Sequence, residues 1–200
     1  MASLEQARRN LARHFTEPAA RALAATPLSP NFLTWSGFVV TLAAAFLVAA
    51  RFFIIAGIVY IVAALFDMLD GALARATGKA TRFGAVLDSS LDRVSEGAVL
   101  IGLIVMFART GFHWEAMLCG MTMLFSFMVS YIRARMEGMG VECKAGFFTR
   151  PERVILMTVA LLVGYNHVAL VAILIVITVL SLASAIQRLA YARRHAKEAD

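Results

Sequence analysis

Residues 53–74 read FIIAGIVYIVAALFDMLDGALA, and residues 81–92 read TRFGAVLDSSLD. The first stretch starts as an apolar run of membrane-spanning length, yet its last turns carry two carboxylates, Asp67 and Asp70. The second opens another apolar run and carries two more, Asp88 and Asp92. Spacings of i, i+3 and i, i+4 put each pair on one face of its helix. An ionised side chain at the bilayer centre costs about 2.5–3.5 kcal/mol, and less near the interface. Four facing lipid would be a heavy penalty, so they must face a polar cavity. Four mutually repelling carboxylates there need cations, and hard oxygen donors favour Mg²⁺, Ca²⁺ or Mn²⁺. No clustered Cys or His lies nearby to favour zinc. A salt-bridge network to Arg75, Arg82 and Arg93 would pair some of the acids but leaves their spacing unexplained. Glu96, one turn beyond Asp92, reads either as a buried hydrogen-bonded or protonated carboxyl or as a functional group.

Working outward, a chain of 200 residues that is 60% hydrophobic, with mean hydropathy +0.77, is too apolar for a soluble domain. Crossing ~30 Å of hydrocarbon takes about 20 helical residues. Six runs qualify, near 31–50, 53–74, 85–108, 114–136, 151–166 and 168–189. The fifth is short and would borrow residues from its flanks. Only Gly164, Tyr165, Asn166 and His167 divide the last two, as in a tight helical hairpin. The expected fold is all-α, a six-transmembrane helix bundle with an N-terminal juxtamembrane amphipathic helix. It forms a single domain over 1–200: an interfacial helix over 1–27, six transmembrane helices over 28–190, and a cytoplasmic tail over 191–200.

The interfacial helix is read from Leu4, Ala7, Leu11 and Phe15, with Arg8, Arg9 and Arg13 between them. A solvated helix covering cytoplasmic loops is the alternative, and Pro27 and Pro30 end it in either case. Glu5 and the same arginines interrupt the stretch where a cleavable signal peptide would keep an uncharged core. Basic residues set the orientation. The loops after spans one, three and five hold only Arg51 and Arg109, whereas the other seventeen of nineteen Lys and Arg lie on the opposite side. Both termini are thus expected in the cytoplasm of a multi-pass cell-membrane protein. The net charge of +6 sits in loops between apolar spans, which argues against nucleic acid as a partner. Cys119 in an apolar run and Cys143 in a polar loop have no metal-ligand spacing and read as reduced thiols.

Between the acidic faces runs Gly71-Ala72-Leu73-Ala74-Arg75, read as a cytoplasmic loop, and then Gly84. Small residues let a ligand or another helix approach the backbone. The order Asp67-x2-Asp70-Gly71-x2-Ala74-Arg75-x8-Gly84-x3-Asp88-x3-Asp92 resembles the defining motif of the CDP-alcohol phosphotransferases at all eight fixed positions. The resemblance implies transfer of the phosphatidyl part of CDP-diacylglycerol to an alcohol, with release of CMP. It implies Mg²⁺ or Mn²⁺ as cofactor, held by Asp67, Asp70 and Asp88. Asp92 would act as catalytic base and also touch the metal. The CDP-lipid site would be Asp67, Asp70, Gly71, Ala74, Arg75, Thr81, Gly84 and Asp88. The resemblance further implies a homodimer in the lipid bilayer.

Basic residues beyond the motif bear on the acceptor. Arg133 ends span four, Arg150-Pro151-Glu152-Arg153 opens span five, and Arg188 ends span six. They read either as positive-inside anchors or as a phosphate-sized basic pocket, since Arg150 and Arg153 flank a helix N-terminus, itself favourable to anions. The stretches Phe66–Gly71, Thr81–Asp88, Arg150–Arg153 and Gln187-Arg188-Leu189 resemble the phosphatidylinositol-phosphate synthases of actinobacteria. That resemblance implies a phosphorylated polyol acceptor, inositol 1-phosphate, gripped by Arg133, Arg150, Arg153 and Arg188. The first position is commonly lysine there, and Arg differs from Lys in geometry. The open alternatives are glycerol 3-phosphate, free inositol or serine as acceptor, and an archaeal-type ether CDP-lipid as donor. A divalent-cation transporter would use the acids differently, but such sites lie near the midplane between broken helices, and these acids are biased to one end.

Overall fold

The computed structural model describes residues 23–24, 26, 28–143 and 145–196. The expected interfacial helix, with Leu4, Ala7, Leu11 and Phe15, lies outside them. Among the described residues the chain forms six helices and no strand. They are α1 (Pro30–Ala49), α2 (Phe53–Ala76), α3 (Arg82–Arg109), α4 (His113–Gly138), α5 (Arg150–Leu162) and α6 (His167–Ala196).

α1, α2, α4 and α6 are long and apolar enough to cross a membrane, and only 28–39% of their apolar windows is buried. The remainder points outward: Phe46 is 75% exposed, Trp114 78% and Val168 75%. Apolar surface on that scale is not stable against water, so lipid is its solvent, and this is an integral membrane protein. α3 has the length but carries Asp88, Asp92, Arg93 and Glu96 within its first fifteen residues. α5 has 13 residues, about 20 Å of helix, and borrows nothing from its flanks. The capping box of Thr149 and Glu152 fixes its start, and a turn fixes its end.

The chain divides into two compact units. Of the described residues, the first takes in those up to Leu42 with Val59–Ser95, and the second Ala43–Ile58 with those from Glu96 onward. In the first, Leu33, Ala63, Ala72 and Leu73 are buried. Gly37 lets α1 lie close to α2, because a Cβ there would stand 3.1 Å from Phe66 Cβ. Residues 71–75, expected as loop, instead complete α2, since Ala and Leu are strong helix formers. The helix stops where Gly78 takes φ +65° and the Lys79 N–H reaches back to the Ala74 carbonyl at 3.1 Å, a glycine-dependent cap. Thr81 then starts α3, its hydroxyl accepting the Gly84 N–H at 2.9 Å.

In the second unit α4 and α5 both pack on α6. Val99, Leu103 and Phe107 of α3, Val129 of α4, Leu161 of α5 and Leu170 and Leu174 of α6 are buried there. The Thr122 and Thr178 hydroxyls meet at 2.6 Å between α4 and α6, a polar link of the kind that joins helices in lipid. Both cysteines are free and buried. Cys143 packs against Val129, Ile132, Met136 and Ala185, although its neighbours in sequence are polar. The expected tail from 191 continues as helix to Ala196.

Candidate active site

The first unit brings the acids together. Oxygens of Asp67, Asp88 and Asp92 lie within 4.8 Å of one another. Asp67 comes from α2 and the other two from successive turns of α3, as their i, i+4 spacing requires. Asp70, one turn beyond Asp67, stands outside this trio. It is 4% exposed, with Thr34, Asp67 and Asp88 as electrostatic neighbours, and its Oδ2 is buried without a hydrogen-bond partner. Three clustered carboxylates with a fourth beside them, one oxygen of it unsatisfied, form an all-oxygen donor set. That set suits a hard divalent cation, and not zinc.

Asp70 and Asp88 also line a cavity of about 200 Å³ in the same unit. Gly71, Ala74 and Arg75 of α2, Thr81 and Gly84 at the start of α3, and Lys79 and Ala80 between the helices complete most of its wall. Every residue expected at the CDP-lipid site lines this cavity except Asp67, which belongs to the trio. Gly84 faces Thr81 and Asn31: a Cβ on it would meet Thr81 Oγ1 at 3.0 Å and Asn31 Oδ1 at 3.3 Å. The cavity also takes in Asn31, Thr34 and Lys79, which the sequence reading did not select. Asn31 and Thr34 occupy the first turns of a mostly apolar helix at i, i+3, and that polar pair was the available signal.

The four arginines expected to grip the acceptor all belong to the second unit. Arg188 is 3% exposed and within Coulombic reach of Arg133 and Arg153. Its Nε donates to the Ala145 carbonyl at 3.0 Å and its Nη1 to the Val129 carbonyl at 2.5 Å. Gly146 permits the first bond. It holds φ +95°, and a Cβ on it would fall 2.4 Å from Arg188 Nε. Arg153 is 2% exposed and paired with Glu96, so Glu96 proves to be a buried, ion-paired carboxylate. Arg133 is exposed and bonded to Glu137 at 2.8 Å. Arg150 is the first residue of α5, one position before Pro151, with Thr149 as N-cap.

Comparison with known proteins agrees with this chemistry. The family description CDP-alcohol phosphatidyltransferase matches residues 27–187. An archaetidylinositol phosphate synthase from Methanothermobacter thermautotrophicus is 36% identical over 186 residues, 92% of this chain and 91% of that one. The crystal structure of the Mycobacterium tuberculosis phosphatidylinositol phosphate synthase with CDP-DAG bound superposes with a TM-score of 0.81. Its identity is 35%, over 88% of this chain and 92% of that one. The same enzyme in complex with manganese and citrate gives a TM-score of 0.79 and 36% identity, over 88% and 87%. With the family's acid motif intact and its trio assembled, the chain belongs to the CDP-alcohol phosphatidyltransferase family.

Proposed function

We propose that this protein transfers the phosphatidyl group of CDP-diacylglycerol to inositol 1-phosphate, giving phosphatidylinositol phosphate and CMP. One observation carries the reading: the trio Asp67, Asp88 and Asp92 shares Asp88 with a cavity walled by small and basic residues. The likeness to inositol phosphate synthases supports the choice of acceptor.

Asp67, Asp70, Asp88 and Asp92 would hold Mg²⁺ or Mn²⁺. When bound, the cation offsets the charge of the diphosphate and of the departing CMP. Asp92 takes the proton from the attacking hydroxyl. Gly71, Ala74 and Gly84 let the nucleotide approach the backbone of α2 and α3, while Arg75, Lys79 and Thr81 donate to it. Arg133, Arg150, Arg153 and Arg188 bind the acceptor's phosphate, an anion that an unphosphorylated alcohol would not supply.

In this reading all six helices cross the bilayer, both termini are cytoplasmic, and the CDP headgroup enters from the cytosol. The bias of basic residues supports that orientation. The protein acts as a homodimer, which a detergent-corrected mass of two chains by light scattering would bear out.

The test is CMP release by the purified protein against inositol 1-phosphate, glycerol 3-phosphate, inositol and serine, with and without divalent metal. Turnover with inositol 1-phosphate that stops on chelation is expected. Activity with serine and none with inositol 1-phosphate overturns the acceptor assignment. The similarity to an archaetidylinositol phosphate synthase favours a second reading of the donor as an ether lipid. Running the assay with both CDP-lipids separates the two.

A further inference from the structure

Glu96 and Arg153 are 57 residues apart in the chain and meet inside the second unit. Arg153 Nε donates to Glu96 Oε1 at 2.6 Å, and Nη2 donates to Oε2 at 2.9 Å. This is the two-pronged fit of a guanidinium to a carboxylate. Both side chains are buried, 3% and 9% exposed. The remaining nitrogen, Nη1, is buried too and has no hydrogen-bond partner. A buried charged donor without an acceptor is destabilising and calls for an explanation.

Stability alone does not account for the pair. A buried ion pair generally stabilises a fold no better than well-packed apolar side chains would. A carboxylate that takes Nε and Nη2 leaves the Nη1 donors over. Arg188, within Coulombic reach of Arg153, is held by two neutral carbonyls, which do nothing to offset the repulsion between the two guanidinium groups, and Glu137 offsets it in part at Arg188. Glu96 offsets it at Arg153, from the side opposite its open donor, because it occupies Nε and Nη2.

We propose that Glu96 is a positioning residue for the acceptor: it locks Arg153 so that Nη1 is kept for an oxygen of the acceptor's phosphate. The inference rests on the reading of the arginines as the acceptor site. Glu96 does not touch the substrate. It fixes the guanidinium plane, removes the rotamer freedom that binding would otherwise cost, and keeps the basic cluster assembled before the anion arrives.

The test is a double-mutant cycle in the full-length protein in detergent, with inositol 1-phosphate as titrant in calorimetry and as varied substrate in kinetics. Glu96→Gln keeps the shape and removes the charge. It is expected to weaken acceptor binding and raise the acceptor KM about tenfold, in the range of coupled pairs. The KM for CDP-diacylglycerol and kcat should stay within about threefold, a split that general loss of structure does not give. Glu96→Gln/Arg153→Gln should bind the acceptor no more weakly than Arg153→Gln alone. Additive losses, an unchanged acceptor KM in Glu96→Gln, or a parallel fall in all parameters overturns the proposal. Should Glu96→Gln fail to fold, Glu96→Asp keeps the charge but cannot reach both nitrogens, and a wild-type acceptor KM in it overturns the proposal equally. If Arg153→Gln itself leaves acceptor binding unchanged, the acceptor-site reading fails, and the proposal with it. If Arg153→Gln weakens binding and Glu96→Gln does not, only the role of Glu96 fails.

Discussion

At the scale of the residue, the reaction needs carboxylates whose roles separate on substitution. Asp92→Asn keeps the size of the side chain and removes its basicity. It should lower kcat by about 10²–10⁴, the usual worth of a general base, while CDP-lipid binding by calorimetry stays near wild type. If CMP release continues at the wild-type rate, Asp92 is not the base. Gly84→Val probes the cavity. Its added methyls would meet Thr81 Oγ1 and Asn31 Oδ1, already 3.0 and 3.3 Å from the site of a Cβ. The KM for the CDP-lipid should therefore rise at least tenfold with the acceptor KM little changed; an unchanged donor KM would place the nucleotide elsewhere. All eight motif residues were legible in the sequence, because each is a type that fixed-spacing chemistry demands. Glu96 was not. Its partner Arg153 lies far along the chain, and no local spacing encodes a pairing that packing creates. Lys79 was passed over for a related reason: a lysine between two spans looks like an anchor until the cavity is seen to include it.

Helices and their ends form the next scale, where local chemistry matters most at α5. With 13 residues it has few apolar contacts to hold it, so its start depends on the cap. Glu152 Oε2 accepts the Thr149 N–H at 2.8 Å and takes the Thr149 hydroxyl as well, while Pro151 fits a first turn where no N–H is needed. Thr149→Ala should cost about 1 kcal/mol, read as a lowered unfolding midpoint in detergent. Because Arg150 and Arg153 stand in that first turn, the acceptor KM should rise too, and an unaffected KM would detach the cap from the site. The six apolar runs gave helix positions to within a few residues, since a lipid-facing helix advertises itself by length alone. The ends were harder to read. Gly71 suggested a loop, yet α2 runs on to Ala76, because the residue that needs a left-handed backbone is Gly78. The end of α6 was likewise placed early, since arginines at 193 and 194 read as tail and are compatible with helix.

For the whole molecule, the open physical question is which segments cross the membrane, and α5 decides it. Four helices have the length and hydropathy to span, whereas α5 covers about 20 Å against ~30 Å of hydrocarbon. If α5 crosses with help from the turn at 163–166, then α6 runs back and delivers Arg188, Arg193 and Arg194 to the same side as Arg133, Arg135 and Arg150. If α5 does not cross, those three arginines of α6 emerge on the other side, against the distribution that governs membrane insertion. Met139, just past α4, is 59% exposed, and Tyr165, between α5 and α6, is 76% exposed. Cysteines at these two positions bracket α5. The native Cys119 and Cys143 are buried, and buried thiols react poorly. A membrane-impermeant maleimide should therefore label Tyr165→Cys on intact cells, and Met139→Cys only after permeabilisation. Equal labelling of both on intact cells, or of neither, would put the two ends of α5 on one face. The cytoplasmic assembly of the arginines would then be lost with the sixth span.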